Sequence, residues 1–144
     1  IVDSSGDWKF DENASTLGNA GTGNIPYGLS VTESDNKIDV KKTIVSEYSG
    51  DNSIEEMSLS LDGKETDQKA PFGNTPLKIS AYRSANGDTL FIDSKMTFSY
   101  GGHNNEFNTN QVWTVSDDGR VLSIKQSGNS FQGKNVITTV YRKE

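Results

Sequence analysis

Residues 110–143 read NQVWTVSDDGRVLSIKQSGNSFQGKNVITTVYRK, three extended runs parted by two turn signals. In the first run Val112, Thr114 and Ser116 alternate with Trp113 and Val115; in the second, Val121, Ser123 and Lys125 alternate with Leu122 and Ile124. A period of two sends successive side chains to opposite faces, which is the signature of a half-buried strand. Between the runs, Asp117-Asp118-Gly119 is turn chemistry: Asp bonds its own backbone, and Gly takes the positive φ of a short hairpin. The two runs are therefore expected to pair as an antiparallel hairpin. Residues 127–133 read as a longer loop, and 136–141 form a third run rich in β-branched and aromatic residues.

The same grammar extends toward the N-terminus. Residues 1–5 read as a flexible lead-in, and Gly6-Asp7-Trp8-Lys9-Phe10 as the first strand-like segment, with Trp8 and Phe10 on one face. Residues 11–23 form a polar connection whose three closing glycines stop any helix beyond one turn. Residues 28–33 and 37–45 make a hairpin about Ser34-Asp35-Asn36, with Leu29 and Val31 answering Ile38 and Val40. Residues 54–61 follow, then the turn Leu61-Asp62-Gly63-Lys64. The stretch 66–76 has little periodicity and two prolines, which suits a loop or a covered barrel edge. Residues 77–82 alternate again, Ala85-Asn86-Gly87-Asp88 turns, and 89–100 read as one long bent strand or two. Gly101-Gly102-His103-Asn104-Asn105 reads as an open loop leading to Gln111.

Composition narrows the classes. A chain of 144 residues suits one domain spanning 1–144, large enough to bury about two thirds of its unfolded surface. The hydrophobic share is only 31%, as expected where many turns join strands polar on one face. Net charge is −6, with the basic residues scattered, so nucleic acid and anionic membrane surfaces are disfavoured partners. No apolar run is long enough to span a bilayer as a helix. Cysteine is absent, which excludes disulfides, thiolate catalysis and sulfur-ligated metals. The start at Ile1 rather than Met points to a processed or trimmed chain.

A meander of about eight strands leaves two exposed edges unless it closes on itself, and eight strands enclose room for side chains or one small ligand. The expected fold is all-β, a single antiparallel up-and-down barrel; a Greek-key sandwich stays open because sequence does not show which strands pair. Gly6-Asp7-Trp8 resembles the Gly-x-Trp that opens the first strand of lipocalins. In that family the Trp plugs the closed end of the barrel beneath an Arg near the end of the last strand, and Arg142 stands in a comparable place. Trp8-Lys9-Phe10, Leu61-Asp62-Gly63-Lys64-Glu65, the run from Trp113 through Asp117-Asp118-Gly119 to Leu122-Ser123-Ile124, and Val140-Tyr141-Arg142-Lys143 are similar in order and spacing to small exported bacterial proteins with lipocalin-like (calycin-type) barrels. The resemblance implies the fold and an exported, bacterial setting. The Thr-Asp-Tyr motif of true lipocalins has no counterpart.

Candidate sites follow from that frame. Trp8 and Arg142 are the expected barrel plug. Tyr82, Phe98, Tyr100 and Trp113 lie on expected strands, where inward rings would fill the barrel or line a pocket, and Phe72 and Phe107 fall in the least periodic loops, where they would guard a mouth. The single histidine, His103, has only loop amides and Glu106 around it, so a solvated imidazole is the default. No nucleophile elbow or metal-ligand spacing occurs, and the turn aspartates serve conformation; no metal, cofactor or catalytic set is expected. The leading expectation is a non-enzymatic barrel that binds a small, largely apolar molecule at its open end. The alternative is an inhibitor-like interaction module that docks on a protein or glycan through exposed loops, and an enzyme centred near His103 comes third.

Overall fold

The computed structural model describes residues 4–17, 25–34, 36–45, 50–69, 76–85, 87–130 and 133–144, with backbone alone at 45, 68, 69, 76, 98–100, 103–105, 129, 130 and 133–135. Its strands are β1 (Gly6–Phe10), β2 (Gly28–Glu33), β3 (Lys37–Val45), β4 (Asn52–Ser60), β5 (Thr66–Lys69), β6 (Pro76–Arg83), β7 (Thr89–Tyr100), β8 (His103–Val115), β9 (Val121–Ser130) and β10 (Gly133–Lys143). All are antiparallel in one ten-stranded sheet, ordered β4-β3-β2-β1-β10-β9-β8-β7-β6-β5. The chain therefore meanders, and β1 joins β10 through the register Trp8↔Lys143, Lys9↔Arg142 and Phe10↔Tyr141. Strands β4 and β5 are the unpaired edges, and β4 lies against β6 across the seam. The barrel is nearly closed.

Among the described residues there are ten strands rather than about eight. The Trp8 segment is a full member of the sheet, and the aperiodic stretch after Leu61-Asp62-Gly63 contributes β5, paired with β6 from Thr66↔Ile79 to Lys69↔Pro76. A larger departure concerns β8. The polar stretch from His103 to Gln111, read as loop, is strand paired with β7 down to Tyr100↔His103. Gly101 and Gly102 sit at φ 61° and 80°, the pair of positive angles that a two-residue hairpin turn requires. Asn-rich HNNEFNTN has poor β propensity, but hydrogen bonding to β7 along its whole length outweighs that preference. The third run also begins early: Gly133↔Ser130 closes a short hairpin where a loop of 127–133 was expected.

The expected hairpin about Asp117-Asp118-Gly119 is present, with Val115↔Leu122 and Trp113↔Ile124 in register. The Asp118 carboxylate accepts from the Ser116 hydroxyl at 2.5 Å and from the Arg120 amide at 3.1 Å, while Gly119 adopts φ 74°. These bonds, the Ser116 hydroxyl first, hold the Asp118 carboxyl below its ordinary pKa.

Inward positions in one half of the barrel form a dry core of Trp8, Val31, Ile38, Val40, Leu59, Ala81, Leu90, Leu122 and Tyr141. Trp8 is 1% exposed, and its indole N–H donates to the Ser4 carbonyl at 2.8 Å. Ser4 and Ser5, expected within a flexible lead-in, are tied down instead. Ser4 donates through its amide and hydroxyl to Glu33 Oε2, and Ser5 accepts from the Glu33 amide. The other oxygen of Glu33 pairs with Arg83, which also donates to the Ser34 carbonyl. One buried ion pair thus ties β2 to β6 and fixes the segment that caps the indole.

Arg142 does not take the place expected for it over Trp8. Register sets Lys143 opposite Trp8, so Arg142, one residue earlier, points outward. Lys143 Nζ stands 5.7 Å from the Trp8 ring centroid. Arg142 Nε bonds Asp11 Oδ2 at 2.5 Å, and this contact lowers the Asp11 pKa. The pair anchors a strap that continues the sheet where β1 stops: Asp11 donates to Val140 O, Ser15 Oγ accepts from the Val140 amide, and Thr16 bridges Thr138.

The Glu33 side chain is 3% exposed and that of Arg83 22%, so truncating one partner strands a charge. Glu33→Ala is expected to cost about 3 kcal/mol in urea denaturation, whereas the double variant Glu33→Leu/Arg83→Leu should lie much closer to wild type.

Candidate ligand-binding site

The inward rows change character at one common level. On β3, Ile38 and Val40 give way to Lys42; on β4, Leu59 and Met57 to Glu55; on β8, Trp113 to Gln111; on β9, Leu122 and Ile124 to Gln126 and then Gly128. Polar and small side chains cannot interdigitate as the apolar ones below them do, and a packed interior opens where they begin. A cavity of about 300 Å³ lies there, with Ile25 and Pro26 at one side and its wall formed by Leu29, Lys42, Ile44, Glu55, Gln111, Trp113, Ile124, Gln126, Ile137, Thr139 and Tyr141. That volume is at the lower end of those that hold small ligands.

Its polar groups are arranged with a direction. The Trp113 indole can only donate, and its N–H goes to Gln111 Oε1 at 3.0 Å. Gln111 must then turn its amino group away, and that group donates to Gln126 Oε1 at 3.0 Å. Gln126 is left to present amino hydrogens at the cavity. The indole thus fixes the polarity of two amides. Tyr141 is spent elsewhere: its hydroxyl donates to the Pro26 carbonyl at 2.9 Å, and burial pushes its pKa up. Phe10 packs on the Tyr141 ring, centroids 5.6 Å apart.

Lys42 is the one cation among the lining residues. Burial disfavours its charged form and lowers its pKa, while Glu55, its direct cross-strand neighbour, works in the opposite sense. The half-buried amine and carboxylate face the same space and are coupled through their charges.

The residues expected to bind a ligand scatter. Trp113 forms part of the cavity wall and is 3% exposed. Phe107 is on strand β8, not in a loop, at a register position shared with Gln111 and Trp113, but it does not line the cavity. Tyr82 points outside: it is 40% exposed and stacks on Phe91, its register partner, with centroids 5.0 Å apart and planes at 22°. Its inward neighbours on β6 are Ala81 and Arg83. Phe98, Tyr100 and His103 have strand positions, with side chains outside the described residues, and Phe72 lies outside them altogether. Lys42, Glu55, Gln111 and Gln126 went unremarked in the sequence. Their signal was a polar residue at a step where alternation calls for an apolar one.

No protein-family model matches the chain, and no curated protein matches it. Among solved structures, it is similar to zebrafish ileal bile acid-binding protein, crystallised with cholic acid: 14% identity over 97% of this chain and 98% of that one, with a TM-score of 0.55. At that identity the likeness concerns architecture. The shared architecture is a nearly closed antiparallel barrel.

Lys42 also gives the site a pH signature. Because its folded pKa is depressed, the unfolded chain holds a proton that the folded one has released between the folded value and about 10.4, so stability rises with pH across that window. Lys42→Met should be more stable than wild type at neutral pH, and the difference should shrink toward about pH 9.5, below the ordinary tyrosine range. Urea denaturation of both proteins across that range checks it.

Proposed function

We propose that the protein binds a small, largely apolar molecule inside the barrel and performs no chemistry on it. The observation that carries this reading is the cavity of about 300 Å³, walled by Leu29, Ile44, Trp113, Ile124, Ile137 and Tyr141 with a few polar groups at one level. An apolar wall with few, oriented polar groups is how barrels and clefts hold organic ligands. The zebrafish protein of similar architecture was crystallised with cholic acid, a precedent for a small-molecule occupant.

A fluorescent apolar probe, titrated while its own emission is followed, tests the proposal. Wild type should bind it, and Ile137→Trp, which fills the cavity with an indole, should lose at least about tenfold in affinity, a cost of about 1.4 kcal/mol. Equal binding by a correctly folded Ile137→Trp would place the probe elsewhere and remove the reading.

The alternative, docking of a protein or glycan on the outer surface, draws on the outward Tyr82 and Phe91 stack. Exposed rings of that kind suit a sugar face or an apolar side chain. Tyr82→Ser separates the two readings: it should leave probe affinity within about twofold, since single surface changes are worth about 0.5 kcal/mol or less.

A further inference from the structure

Lys42 and Glu55 are direct partners in the β3–β4 register and both face the cavity. Directly opposed side chains on one face have Cβ atoms about 5 Å apart, and the two groups are coupled by charge. Among the described lining residues no other side chain carries a formal charge. On the other flank Lys42 has Leu29 of β2, and the remaining titratable group of the wall, Tyr141, has its hydroxyl committed to Pro26. A donor and an acceptor thus stand side by side at the end of an apolar chamber, with the Gln126 amino group as a further donor.

We infer that the occupant is a neutral amphiphile with a hydroxyl head, seated between the Lys42 amine and the Glu55 carboxylate, and that the site discriminates against a carboxylate head. This rests on the cavity being the binding site. A hydroxyl accepts from the amine and donates to the carboxylate with one oxygen, so both groups are served and no charge is added. A carboxylate head only accepts. It would meet Lys42 but bring a second negative charge against Glu55, and like charges in a partly desolvated site repel strongly. An ammonium head has the mirror-image fault, since it only donates and stands beside Lys42. With its proton on the amine, the pair is neutral overall; if the desolvated amine releases that proton, the pair is negative. Neither state favours an anionic ligand.

The experiment compares octanol, octyl methyl ether and octanoate, which share an alkyl chain and differ in the head, by calorimetric titration of the whole protein at neutral pH. Octanol should bind tightest. The ether, which can accept from Lys42 but cannot donate to Glu55, should be weaker, and octanoate should be weaker than octanol by at least about tenfold, the effect of one like-charge neighbour. In Glu55→Gln, Lys42 becomes the only charge in the wall, and octanoate should then overtake octanol. If that variant fails to fold, the wild-type ranking decides alone. Octanoate binding wild type as tightly as octanol would overturn the hydroxyl assignment and leave the cavity as a binding site. Failure of all three to bind, together with the fluorescent probe, would overturn the binding role itself.

Discussion

Antiparallel pairing couples side chains into rows. Once β1 is hydrogen-bonded to β10 and the ladder runs on to β4 on one side and β5 on the other, each inward side chain shares its level with inward side chains of its neighbours. Slipping one strand by a residue would turn its whole apolar row to solvent. The register Trp8↔Leu29, Val31↔Val40, Val40↔Met57 and Trp113↔Ile124 is therefore fixed by burial along with hydrogen bonding. Everything else about the interior follows from which residues fall on the same row.

One consequence is a barrel divided into two halves. Below, rows of Trp, Ile, Val and Leu interdigitate beneath the Ser4 segment, which the Glu33–Arg83 pair holds in place. Above, the rows meet Lys42, Glu55, Gln111 and Gln126, and packing gives out. The lower half supplies the rigidity that lets the upper half stay open, for a cavity survives only where its wall cannot relax into it. Trp113 belongs to both: its ring completes the dry core, and its N–H orients the amides above.

Polar groups inside the chamber are costly there, and their retention is the strongest functional hint in the chain. Both ends of the Gln111 amide and the Gln126 carbonyl are hydrogen-bonded, so the indole sets the direction of both amides. Lys42 and Glu55 face the cavity as neighbours coupled by charge. Replacing that pair with leucines would make the wall more apolar and remove both its charges. The polar side chains of the cavity wall stand on strands, where geometry is held more closely than on a loop.

By itself the sequence determined the all-β character, most of the strands, the hairpin about Asp117-Asp118-Gly119 and the burial of Trp8, because side-chain alternation and turn chemistry are local and survive without knowledge of partners. It left the first half of β8, 103–110, hidden behind asparagines and β5 behind prolines, since pairing with β7 and β6 overrides their weak propensities. It also set Arg142 over Trp8, an error of one residue that becomes an error of face, and put Tyr82 among ligand residues although its ring lies outside. Only the tertiary structure decided which way each face points and which rows meet. The cavity exists because residues distant in the chain, from Leu29 to Tyr141, are brought to one level by the registers of six strands, and no local pattern records that coincidence.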